Sequence, residues 1–164
     1  MTIRALTPLV YSGAALLLAM SYSSIAPAAT SGLCKPVQVR FIASALADSP
    51  TSSTSFINIP ETTITFTQGG AAASCVLVRF SASTFGANAI DVIDVRAFLD
   101  NATAALPASI GVRGESDVTG YPRSFEFVFP SVAPGSHVLR MQFKSEKGNP
   151  VHVKAHNTVI QFAQ

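Results

Sequence analysis

Along most of this chain apolar and polar residues alternate with a period of two, the mark of strands that bury one face and wet the other. Val37, Val39 and Phe41 share one parity, with Gln38 and Arg40 on the other. Ile64 and Phe66 alternate with Thr63 and Thr65, predicting a short strand over 62–66. From Cys75 to Ser81 the pattern sends Val76, Val78 and Phe80 inward, leaving Arg79 and Ser81 outside. Ile93, Val95, Ala97 and Leu99 oppose Asp94 and Arg96; a helix over 91–98 also fits, but the Val and Ile content favours a strand. Phe125, Phe127 and Phe129 alternate with Ser124 and Glu126. Leu139, Met141 and Phe143 do so with Arg140, Gln142 and Lys144, and strands over 151–155 and 158–162 end the series.

Turn chemistry separates these runs. Asp48–Ser55 is polar and carries a proline, predicting a long loop. Asp100-Asn101, Pro134-Gly135 and the stretch Glu146–Pro150 predict tight turns. About eight or nine short strands, each with one apolar face, predict an all-β fold: an antiparallel β-sandwich, jelly-roll-like, formed by two sheets packed face to face.

The amino end departs from this pattern. Arg4 precedes an apolar run from about Leu9 to Met20, and small residues follow up to Ala26-Pro27-Ala28. That is the build of a cleavable secretory signal over 1–28, leaving one domain over 29–164. Ser21 to Ser24 interrupt the run short of the roughly 20 residues a spanning helix needs. No stable membrane anchor is therefore expected after cleavage, and the expected location is secreted or periplasmic. Leu33 beside Cys34 argues against lipidation, since a small residue is needed there.

Export changes how the two cysteines read. In an oxidising compartment Cys34 and Cys75 form one disulfide most simply, closing a loop that stabilises the fold by about 4 kcal/mol on the chain-entropy model. Their spacing is far from that of a redox pair or a closed zinc site. Loss of Arg4 leaves ten basic side chains against nine acidic ones, and so near-neutral a chain lacks the clustered basic surplus that nucleic acid requires.

Ser74–Ser81, Val95–Asp100, Ser124–His137 and Val138–Phe143 run in an order that resembles a largely uncharacterised group of secreted bacterial β-sandwich proteins. In that group a Pro-Gly-x-His turn leads into a late strand. The resemblance covers about half the chain, from Ser74 to Phe162. It implies an exported sandwich of bacterial origin and assigns no activity.

Candidate chemistry is sparse. His152 and His156 would stand roughly 13 Å apart on one face of a regular strand, too far to share a metal unless the strand bends at Ala155. His137, at the start of its strand, suits an edge or capping role. Ser136 beside His137 points to the opposite face, and no G-x-S-x-G elbow occurs. Asp91, Asp94, Asp100, Glu115, Asp117 and Glu126 could supply paired carboxylates, but nothing marks a pair. Lack of Trp weakens a sugar-stacking role. Arg40, Arg79, Arg96 and Arg140 each take a polar mid-strand position; on neighbouring strands they would form a guanidinium ladder suited to an anionic ligand. The glycine-bearing loop Gly111–Pro122, with Glu115, Asp117 and Tyr121, is the other place for a ligand. No pattern calls for a cofactor or metal. The favoured expectation is a non-catalytic binding or structural module that self-associates or meets a cell-surface glycan. The alternatives are a carbohydrate or anionic-ligand binding domain and a secreted hydrolase with unmarked carboxylates.

Overall fold

A computed structural model describes Cys34 and residues 38–44, 48–87, 91–113 and 120–164. The expected signal over 1–28 and the acidic pair Glu115 and Asp117 lie outside these residues. Among the described residues every regular element is a strand, and no helix is long and apolar enough to cross a membrane. In chain order the strands are β1 (Gln38–Ser44), β2 (Ser49–Thr51), β3 (Ile57–Asn58), β4 (Ile64–Gln68), β5 (Ser74–Gly86) and β6 (Val92–Leu99). They continue with β7 (Thr103–Ala104), β8 (Ile110–Arg113), β9 (Tyr121–Val132), β10 (Gly135–Ser145) and β11 (Val151–Phe162).

These strands form two antiparallel sheets. The first runs β1-β11-β5-β9, with β2 also on β11; the second runs β3-β10-β6-β7, with β4 on β10 and β8 on β6. Apart from β6 with β7 and β8, neighbours in each sheet are distant in sequence, so the fold is held mainly by long-range pairing. Val76, Val78, Phe80, Phe125, Phe127, Phe129, Val153 and Ile160 of the first sheet meet Ile93, Val95, Ala97, Leu99, Leu139, Met141 and Phe143 of the second in one apolar core. The sandwich expected from period-two alternation is therefore the fold. Cys34 and Cys75 are joined, their Cα atoms 5.5 Å apart.

Three expectations are corrected. The Asp48–Ser55 stretch is not all loop, because Ser49–Thr51 pairs with β11 and buries Thr51. The two final strands are one, β11, carrying a bulge: Lys154 lies opposite Ser83 and Asn157 opposite Ser81. Three steps along β11 match two along β5, so one extra residue, Ala155 (φ +40°), is absorbed there. Parity flips across it. Val151 and Val153 face the core before the bulge; His156, Thr158 and Ile160 face it afterwards. His152 and His156 consequently do not share a face.

The third correction concerns β1. Its register on β11 sets Ser44, Ile42, Arg40 and Gln38 opposite the inward-facing His156, Thr158, Ile160 and Phe162. Val39 and Phe41, the residues the pattern would bury, are 60% and 76% exposed. Polar contacts at the sandwich rim hold this register. Gln38 donates to Gln164 at 2.7 Å, Arg40 Nη1 to the Thr65 carbonyl at 2.6 Å, and the Ser44 hydroxyl to Glu61. A slip of one residue would break all three.

Candidate interaction face

The inverted β1 makes the outer face of the first sheet unusually apolar. One cross-strand row reads Val39, Gln161, Leu77, Val128, and continues to Leu106, whose backbone pairs with Val128 at 2.7 and 2.9 Å. The next row reads Phe41, Val159, Arg79, Glu126. A third, Ala43, Asn157, Ser81, Ser124, is mostly polar and bounds the patch. Leu106 is 45% exposed, and Leu77, Val128 and Val159 are half-buried. Scattered apolar residues on a surface need no explanation; a group of them gathered on one sheet face does.

The patch has relief. Leu77, Arg79, Glu126, Val128, Val159 and Gln161 surround a shallow hollow of about 110 Å³. Arg79 and Glu126 flank it with an ion pair at 3.7 Å, both side chains largely exposed. Phe41 stands on the edge strand, two strands from β5. Alternation alone counted Val39 and Phe41 as core. The signal that marks them as exposed is Ile42 on the other parity, the one apolar side chain β1 turns toward the core.

The guanidinium ladder on one sheet face does not form, because Arg40 and Arg79 belong to the first sheet and Arg96 and Arg140 to the second. Arg40 spans the rim to Thr65, and Arg79 pairs with Glu126. Arg96 lies over the rings of Phe56 (4.0 Å) and Phe98 (4.6 Å), and its Nε donates to Gln142 at 2.8 Å. Burial there lowers its pKa from the ordinary value. Gln142 donates in turn to Asn58, also at 2.8 Å. Arg140 bonds Asn101. Tyr121 opens β9 opposite Thr84, 41% exposed.

The carboxylates are dispersed. Asp94 pairs with Lys144 at 3.2 Å. Buried Asp91 accepts from the Val92 and Lys147 amides and the Ser145 hydroxyl, closing the turn after β10. Asp100 accepts from His137 at 2.6 Å and from the Val138 amide at 2.8 Å, while His137 Nε2 meets the Ala133 carbonyl at 2.8 Å. Among the described residues no group of three metal-ligating side chains comes together. His152 bonds Asp48 at 2.8 Å and stacks on Phe85, 4.2 Å between centroids. His156, facing inward, leaves Nδ1 without a partner, as Thr158 leaves its hydroxyl.

This arrangement defines a class, an all-β sandwich with one disulfide and an apolar outer face. No family model matches the chain, and no curated protein does. Among solved structures it is similar to part of latent PorU from Porphyromonas gingivalis, at 12% identity and a TM-score of 0.48, over 82% of this chain and 13% of that one. It is similar to infectious bursal disease virus VP2 from the subviral particle, at 14% identity and 0.43, over 77% of this chain and 32% of that one. A carbohydrate binding module from Cellvibrio mixtus lichenase 5A aligns at 10% identity and 0.38, over 79% of this chain and all of that one. At such identities and scores the likeness says nothing of a site or ligand.

Proposed function

We propose that this chain is an exported, non-catalytic interaction module that docks a partner on the outer face of its first sheet. The carrying observation is the set of apolar side chains there, Val39, Phe41, Leu77, Leu106, Val128 and Val159, with Val39 and Phe41 60% and 76% exposed. Most of the carboxylates and histidines described above serve turns, caps and ion pairs, whereas Val39 and Phe41 on this face meet no such demand from the fold among the described residues. Export supports the reading from the sequence side, through the signal-like segment over 1–28 and the Cys34–Cys75 bridge.

The test places a photoreactive benzoylphenylalanine at position 41, in the protein as its own cells export it, with position 140 on the opposite sheet as control. Illumination is expected to give a discrete covalent adduct from position 41 and none from 140. No adduct from 41, or equal yields from both positions, overturns the proposal.

A further inference from the structure

We infer that the occupant of this face is a second copy of the same chain, paired about a two-fold axis; the inference rests on the docking reading above. A two-fold pairing requires every contact to be made twice, so a protruding residue and its receptacle must lie on the same face at matching positions. Here they do. Phe41 projects from β1, and the hollow centres on β5, with β11 between them. The register sets Phe41 in the row of Val159, Arg79 and Glu126, which line that hollow. An axis lying in the face along β11 therefore carries each Phe41 onto the hollow of the partner, and each hollow onto the partner's Phe41.

The chemistry at the receiving end fits a phenyl ring. Leu77, Val128 and Val159 give an apolar floor, and the hollow of about 110 Å³ opens outward. For scale, an enclosed apolar cavity of about 150 Å³ holds benzene. Arg79 at its edge presents a cation to the arriving ring face. Val159, on β11, meets its own symmetry mate across the axis.

The overlap is three strands wide, but its length is set by β1, seven residues long against 13 in β5. At about 4.8 Å between strands and about 3.3 Å per residue, that is roughly 14 by 23 Å, near 300 Å² per partner and below the size of standard specific interfaces. Self-association is thus expected to be weak, with half-dimerisation in the upper part of a range from about 1 μM to about 1 mM.

Sedimentation velocity on the exported protein, over about 1 μM to about 1 mM, is expected to show a monomer–dimer equilibrium. Phe41→Asp removes the knob and should weaken dimerisation at least tenfold while melting like the native protein, because the side chain is exposed. Val128→Trp fills the hollow and should weaken it similarly. Mixing the two variants restores one knob-and-hollow contact, so a heterodimer is expected where each alone is monomeric. A native protein that stays monomeric throughout, or Phe41→Asp dimerising as well as native, overturns the inference. The photoadduct from position 41 separates the two readings. At twice the chain mass it supports both. At any other mass it ends self-pairing and leaves docking standing, and its absence ends both.

Discussion

His137 and His156 both lie against aromatic rings of the core, yet their surroundings push them in opposite directions. Burial is the largest influence on each and disfavours the charged form. At His137 the hydrogen bonds to Asp100 and Ala133, with the carboxylate charge, outweigh burial and raise the pKa. Both ring nitrogens face acceptors, a setting that favours the imidazolium over the neutral ring. A raised folded pKa gives stability that is fully present below the unfolded value of about 6.5 and is lost as pH rises through the folded one. His137→Gln should therefore cost about 1–2 kcal/mol at pH 5.5, discounted for the half-exposed Asp100, and clearly less at pH 8.5. Chemical denaturation at both pH values checks this, and a pH-independent cost would show the charge to be irrelevant. At His156 burial prevails over Glu61 and the Pro60 carbonyl, lowering the pKa. Its contribution is fully present above the unfolded value of about 6.5 and is lost as pH falls from there through the lowered folded one. Proton NMR of the two ring signals should show His137 protonating well before His156 during acidification.

At the scale of elements, core burial is carried by the strands that alternation predicts most plainly. Phe125, Phe127 and Phe129, each 1% exposed, are three aromatic steps along β9 packed between sheets. Phe127→Ala should cost about 3–5 kcal/mol in urea unfolding. Such strands are legible because a half-buried ribbon must repeat every second residue. The bulge in β11 is not legible, since a single inserted residue leaves apolar residues on both parities and no local motif marks the switch. The inversion of β1 escapes for a related reason. Parity gives two sets of residues, and which set faces the core depends on a register fixed by His156 and Ile160 more than a hundred residues away. For the arginines, alternation placed Arg79, Arg96 and Arg140 outside, but their sheet membership follows from pairing order, which no local pattern encodes. Ala155 offers a direct check on the bulge. Its φ of +40° is strained for a residue with a Cβ. Ala155→Gly should stabilise by about 0.5–1 kcal/mol, whereas deleting Ala155 should prevent folding, because one half of β11 would then face the wrong way. A deletion variant with native-like unfolding would refute the parity argument.

Across the whole molecule the disulfide acts on an element that packing alone holds weakly. Only Ser44 of the seven residues in β1 is buried, so the strand relies on its ladder with β11, the rim contacts and the tether. Cys34 lies just before β1, and Cys75 sits in β5, two strands away in the same sheet. Reduction releases unfolded-chain entropy worth about 4 kcal/mol on the loop-closure model, which for a domain of this size lowers the melting temperature by roughly 10–20 °C. That effect is global and by itself says nothing about where the folded state loosens. The folded-state consequence is local, because β5 is clamped between β11 and β9 whether or not the bridge exists, while among the described residues β1 has a strand partner on one side only. Hydrogen exchange of the reduced, still folded protein should therefore accelerate across 38–44 and stay unchanged in β5 and β9. Equal acceleration in all three would mean that the bridge works through the unfolded chain alone. Since Val39 and Phe41 ride on β1, local loosening would also blur the docking face, and dimerisation should weaken on reduction before any melting is detectable.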